Sequence, residues 1–437
     1  MNKNLKKMLS SIASLFIIST LMVGCKSSGN VQSESGKTEK TKLTLWQIQT
    51  AEAKNVIHRA VDRFTKENPQ YEVEIVDMSN DSYKQKLAMA MSSNQIPDIF
   101  INWGGATLID YVDSNLVADL TEYMDKDNYK DKFLNAAIEQ CSVNEKIYAV
   151  PVEGVSVAGF YYNKEIFKKY GLEEPKTLSE LEAICNKLKE NDVTPFALAN
   201  ATKWTGSMYY MYLVARYGGL QPFADAVSGK GSFENESFEY AGNKIQEWVN
   251  KGYFNDGFNG MDDDSGQARQ LLYKGDAAME LMGSWFTSTV LGENPDFKDS
   301  LGFFPFPAVE GSKADQTIMA GIIGDNLYSV SQNCKDKEGA FKVIQSLLDD
   351  QAVKDRKDLG RIGVFKDFKP EDPLTQKIFD AVGNASGVQL WYDQYLPAEV
   401  AEIHKSTSQE VFGLTKTPKE ANKELQEAMK SYNEKNK

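Results

Sequence analysis

The sequence predicts an α/β fold: an open sheet with helices on both faces, divided into two or three domains or two large lobes. Three observations carry this. From Lys42 to Ile101 the chain alternates strand, helix, strand, helix, strand, the pattern of a doubly covered sheet. The 437 residues exceed what one core of roughly 100–200 residues accounts for. A hydrophobic share of 41% is ample for real cores and excludes general disorder.

Taken in order, Lys42-Leu43-Thr44-Leu45-Trp46 alternates as a strand. Val56, Ile57, Ala60, Val61 and Phe64 then recur at helical spacing, and Asn68-Pro69 stops that helix. Tyr71, Val73 and Ile75 alternate with Glu72 and Glu74 as a second strand. A helix carrying Tyr83, Leu87, Met89 and Met91 follows, then a buried strand at Pro97–Ile101 that ends in Asn102-Trp103-Gly104-Gly105. Lys146–Pro151 and Gly159–Tyr162 are strand candidates on either side of a loop. Thr177-Leu178-Ser179-Glu180 is a capping box that opens a helix with Leu178, Leu181, Cys185 and Leu188 on one side. Residues 207–221 form an apolar, aromatic helix ended by Gly218-Gly219, and another helix spans about 238–249. Lys274–Met279 turns into a short strand finishing at Gly283-Ser284-Trp285, and Leu301–Pro307 resembles a strand leaving toward a hinge. The last third is largely helical and closes with a second capping box at Thr417–Glu420.

The N-terminus reads as a processed segment. Lys3, Lys6 and Lys7 precede an apolar stretch, Met8–Val23, shorter than the roughly 20 residues that span a bilayer. It ends in Leu21-Met22-Val23-Gly24-Cys25, which looks like a bacterial lipobox, with residues 1–24 as signal peptide and Cys25 as the acylated first residue. Residues 25–42, rich in Ser, Gly, Lys, Glu and Thr, are expected to act as a flexible tether. The other cysteines, Cys141, Cys185 and Cys334, are odd in number, and no disulfide framework is expected.

Charge and composition exclude several functions. A net charge of -13 disfavours nucleic acid, whose binding needs a basic face. It also leaves membrane attachment to the acyl chains. With only His58 and His404, a His-rich metal site or His-dependent triad has little to draw on, and no metal or cofactor is expected. Asp262-Asp263-Asp264 does not continue into an EF-hand loop and reads as a solvated loop. Ser228–Ser232 lacks the upstream Gly of a phosphate loop. Among 62 acidic residues a carboxylate pair for glycoside hydrolysis stays open.

Four stretches together resemble the bacterial extracellular solute-binding proteins of ABC importers (family 1), the large family that includes maltose-binding proteins. They are Ile147–Pro151 with Phe160–Phe167, Tyr170–Thr177, Gly275–Met279 with Gly283–Trp285, and Thr417–Ala421. The resemblance implies a two-lobe periplasmic-binding-protein-like (type II) fold with three hinge crossings and a helical C-terminal region. It places one lobe at 43–151 and 317–368, and the other at 152–311 and 369–437. Candidate crossings are Pro151, Asp315–Gly321 and Gly363–Phe365. It further implies a monomeric, lipid-anchored receptor outside the membrane. That receptor captures a mono- or oligosaccharide, passes it to permease subunits and performs no bond chemistry. A surface glycoside hydrolase, or the same fold holding a non-sugar solute, are the alternatives.

Tryptophans mark the candidate site. Trp248 alone falls inside an amphipathic helix. Trp46 and Trp103 end predicted strands, where open α/β sheets bind ligands. Trp204 lies in the loop from Asn200, Trp285 follows Gly283-Ser284, and Trp391 sits in a helix–loop stretch. An aromatic plane covers the C–H face of a sugar while carboxylates and amides satisfy its hydroxyls. The expected polar partners are Gln47, Asp81, Asn102, Glu153, Asn200 and Asp393. The resemblance implies a hydroxyl-binding Glu near position 153 and a stacking aromatic at Trp285.

Overall fold

Alternating burial from Leu43 to Gln47 makes strand β1 (Thr41–Gln47) the first element of the protein, whose computed structural model describes residues 40–435. The signal peptide, Cys25 and most of the expected tether lie outside the described residues. Thr41 and Lys42 do not belong to the tether: they pair with Tyr71 and Glu72 at the start of a parallel ladder.

That ladder joins β1 to β2 (Tyr71–Asp77), and β3 (Ile99–Asn102) flanks β1 on its other side, also parallel. The hairpin of β4 (Ser142–Val143) and β5 (Lys146–Ile147) stands apart. Next in the chain come β6 (Val150–Asn163), β7 (Thr194–Ala197), β8 (Ala277–Gly283), β9 (Leu301–Phe304), β10 (Met319–Val330) and β11 (Val388–Gln389). One nine-stranded sheet runs in the order β2–β1–β3–β10–β6–β8–β7, with β9 added to β6 and β11 to β10.

Two large hydrophobic cores sit on this sheet, beside a small cluster of Ala197, Ala199, Ala268 and Ala277. The first gathers Leu43 to Val152, then Leu327 to Ala352 and Val364. The second gathers Val155 to Ile322, then Ile362 and the C-terminal residues from Ile378 to Met429. The helix Ala51–Glu67 turns Val56, Ile57, Ala60, Val61 and Phe64 into the first core, and Asn68 ends it. Helices Ala398–Phe412 and Pro418–Lys435 bury Val411, Phe412, Leu425 and Met429 in the second. Both capping boxes form: Thr177 with Glu180, and Thr417 with Glu420. Cys141, Cys185 and Cys334 are buried free thiols.

The expected loop between two short strands at 146–162 is absent. Instead β6 is a single 14-residue strand, buried throughout. Apart from Glu153 its middle, Val152–Ala158, is small or β-branched, and pairing with β10 carries it from one core to the other. Cores change between Val152 and Val155 on β6, between Ile322 and Leu327 on β10, and between Ile362 and Val364 on the third passage. Asp315–Gly321 therefore precedes the exchange on β10, because Met319, Ala320 and Ile322 still belong to the second core. The passages touch closely: a Cβ on Gly154 would lie 2.0 Å from the carbonyl oxygen of Ile362.

Candidate functional site

A cavity of about 170 Å³ opens where the two cores face each other. One wall is aromatic. Trp204 begins the helix Trp204–Gly218, whose next turns contribute Met208 and Met211. Trp285 is the N-cap of the helix Phe286–Glu293, and Trp391 caps the short helix Tyr392–Tyr395. The Trp285 ring stands 6.0 Å from Trp204 and 6.1 Å from Trp391, tilted by 57° and 66°, so the three make a cornered apolar face. Gly283 makes room for it, since a Cβ there would come within 2.0 Å of the Trp285 ring. Ser284 fastens the turn by donating to the Val155 carbonyl at 2.8 Å.

The other wall is more polar. Ile48, Gln49 and Thr50 follow β1, Asn80 and Lys84 lie on the helix Asn80–Ser93, and Trp103 follows β3. Trp103 meets Tyr83 edge-on at 6.0 Å, and the Lys84 ammonium lies 4.9 Å from its ring centre. At the floor, Gly324 and Asn326 take positive φ of 85° and 48°, presenting Asp325 and Asn326 to the cavity from within β10.

Charges around the cavity are largely matched in pairs. Lys84 Nζ meets Asp393 Oδ2 at 3.1 Å, joining the two walls. Arg269 holds Glu293 with two bonds of 2.7 Å. Arg361 reaches Ser288 Oγ at 2.7 Å, Gln49 Oε1 at 3.1 Å and Glu153 Oε2 at 3.5 Å. Burial works to raise the Asp393 carboxyl, but Lys84 and Lys405 outweigh it and hold the group below the usual carboxylate range. Asp263 goes the other way. Burial, then Asp264, Asp262 and Asp81, push its carboxyl up to about 7 against the pull of Arg269.

Of the residues expected from sequence, Trp103, Trp204, Trp285, Trp391 and Asp393 line the cavity. Asp393 does so already engaged by Lys84. The remaining six stand back from it, for identifiable reasons. Trp46 is half-buried and packs edge-on against Tyr83 at 6.5 Å. Gln47 is buried, donating to Asp77 and accepting the backbone N–H of Gln49. Asp81 lies half-buried next to the lining residue Asn80. Asn102 donates to Ser329 inside the sheet. Asn200 accepts the Gly206 N–H at 2.9 Å and donates to Asn259 at 2.7 Å, fixing a loop to a helix. Glu153, expected to hold a sugar hydroxyl, is instead taken up by Arg356 at 3.1 Å and Arg361 at 3.5 Å where β6 crosses.

Sequence reasoning passed over Gln49, Asn80, Lys84, Asp263, Asp264, Arg269, Asp325, Asn326, Arg361 and Gln394. For Asp325-Asn326 a signal existed: a polar pair interrupting the apolar run Met319–Val330. Asp263 and Asp264, read as part of a solvated loop, gave no such signal, yet both line the cavity. Among the described residues, no cluster of His, Cys, Asp or Glu is arranged to hold a metal ion.

Comparison with known proteins accords with this geometry. The model of the bacterial extracellular solute-binding protein family matches residues 49–354. The multiple sugar-binding protein of Streptococcus mutans is 25% identical over 377 residues, covering 83% of this chain and 85% of its own. A protein solved in work on xylan utilisation by the thermophilic bacterium Caldanaerobius polysaccharolyticus superposes with a TM-score of 0.82. It is 33% identical, over 89% of this chain and 99% of that one. A sugar transporter protein of Bacillus licheniformis, solved in complex with stachyose, shares the fold at 23% identity and a TM-score of 0.73, over 89% and 98% of the chains. Two cores, three passages between them and a helical C-terminal region make this the two-lobe type II binding-protein fold. The chain belongs to the bacterial extracellular solute-binding protein family.

Proposed function

We propose that the protein captures a carbohydrate between its lobes and delivers it to the permease subunits of an ABC importer. The corner of Trp204, Trp285 and Trp391, in a cleft that polar groups also line, carries this reading. Rings at these angles cover the C–H faces of a sugar, and Asn80, Asp263, Asp325 and Gln394 are placed along the same cavity for its hydroxyls. The relatives named above include sugar-binding proteins of similar length. In this reading the lobes divide where the cores divide, and the hinge lies at Val152–Val155, Ile322–Leu327 and Ile362–Val364. Isothermal calorimetry against mono- and oligosaccharides tests it: saturable binding with no product formed is expected.

One observation favours a second reading. Asp263, a carboxyl raised to about 7, sits beside Asp264 in an aromatic-lined cleft, as an acid catalyst of glycoside hydrolysis would. Release of reducing sugar at enzymatic rates, abolished by Asp263→Asn, would decide for it.

The protein is further proposed to work as a monomer on the outer face of the cell membrane, held by acyl chains on Cys25. Double acylation suffices for stable attachment. Mass spectrometry should find the mature chain starting at an acylated Cys25, and Cys25→Ser should release or misprocess the protein. An unacylated N-terminus elsewhere removes the anchor.

A further inference from the structure

Resting on the sugar-capture reading, we propose that this cleft selects uncharged sugars and excludes sugar acids, because its cations are already matched within the protein and its surplus charge is negative. The cations of the lining are Lys84, Arg269 and Arg361. Arg269 is held by both oxygens of Glu293, and Lys84 by Asp393. Arg361 shares Glu153 with Arg356, donates to Ser288 and Gln49, and has Asp325 as a further acidic neighbour. Lys405, behind Asp393, is paired with Glu402 at 2.6 Å. Among the described residues neither Asp263 nor Asp264 forms an ion pair: Arg269 attracts both but is bonded to Glu293, and the charges of Asp81 and Asp262 act on the same loop.

The neutral groups point the same way. Gln394 Oε1 is buried with no donor, and the side chain of Asp263 receives no hydrogen bond from the described residues. A lining of acceptors takes hydroxyl donors. A uronate brings a carboxylate that donates nothing and meets like charge, and repulsion of that kind gives specificity. The elevated carboxyl of Asp263 supplies a handle. It faces Arg269, Asp264, Asp262, Asp81 and the buried Glu280, and is neutral well below pH 7 and ionised above it. Exclusion of a sugar acid therefore relaxes as the pH falls, while the uronate itself stays ionised.

The test measures affinities for glucose-, galactose-, xylose- and N-acetylglucosamine-based oligosaccharides. For each that binds, the terminal residue is then replaced by glucuronate and by its uncharged amide. At pH 8 the glucuronate form should bind at least about tenfold more weakly than the amide. The gap should narrow to about threefold at pH 5.5, and Asp263→Asn should narrow it already at pH 8. Equal binding of acid and amide at pH 8 overturns the inference while leaving sugar capture intact. So does exclusion of both alike, which means shape rather than charge, or a gap that neither pH nor Asp263→Asn moves. If none of the oligosaccharides binds, the sugar reading falls and this inference with it.

Discussion

The two walls of the cleft are built on different principles. The second lobe contributes a continuous apolar face, Trp204, Trp285, Trp391, Met208 and Met211, with its rings held at helix starts and against each other, and the polar groups Asp263, Asp264, Arg269, Thr289, Asp393 and Gln394 around it. The first contributes Gln49, Asn80 and Lys84, polar groups on a loop and an early helix turn, with one ring, Trp103. A preorganised aromatic face holds a ligand with little further ordering, whereas polar groups on the opposing lobe reach their places as the lobes meet. The comparison assigns affinity to the second wall and closure to the first.

The strongest check separates packing from binding among the tryptophans themselves. Trp248 is fully buried, its indole N–H donates to Glu182 at 2.9 Å, and it does not line the cavity. Trp248→Ala should lower stability by about 3–5 kcal/mol and leave the affinity of the folded protein nearly unchanged. Trp285→Ala should do the reverse, weakening sugar binding by about 2–4 kcal/mol with a smaller change in melting temperature. Trp103→Ala, on the polar wall, should weaken binding by under about 1 kcal/mol. Melting and calorimetry on the three variants read all of this. If Trp285→Ala melts early but binds normally, the aromatic wall is packing and the comparison collapses.

A subtler change moves the wall without removing it. Gly283→Ala inserts a Cβ where the Trp285 ring lies. Overpacking of this kind costs about 1–3 kcal/mol, and the ring should be displaced toward Trp204 or Trp391. Expected are weaker binding and an altered tryptophan emission spectrum. Unchanged emission and affinity together would show that the ring has slack, so that its position is not fixed by the glycine.

How far the sequence anticipated this depends on the range of the interactions involved. Strands β1 to β3 and the helices between them were legible because alternation and 3.6-residue spacing are local signals. The capping boxes were legible for the same reason. Trp285 was placed by a strand end and a small-residue turn, both visible locally. Polar site residues other than Asp393 were not, since a Gln or Asp in a loop looks the same whether it faces solvent or a partner lobe. Gln47 and Gln49 illustrate this: two residues apart, the first is consumed by Asp77 and the second lines the cavity. Glu153 shows the converse, for only the fold brings Arg356 and Arg361 to it, 203 and 208 residues along the chain.

The smallest expected effect tests the first wall directly. Lys84 and Asp393 come from opposite lobes and meet at 3.1 Å; the lysine side chain is 23% exposed and the carboxylate 7%. Such a pair lies between the surface case, near 0–1 kcal/mol, and a fully buried one. Lys84→Met should therefore weaken sugar binding by about 1 kcal/mol, and the loss should shrink as salt screens the pair in the wild type. Removing the ammonium strands a buried carboxylate, so Asp393→Asn in the same chain should recover part of the loss, a coupling that simple removal of a ligand contact does not produce. X-ray scattering without sugar should show the single variant more open than the wild type. Were Lys84→Met to bind as tightly as the wild type at low salt, closure would owe nothing to this ion pair, and the polar wall would act through Gln49 and Asn80 alone.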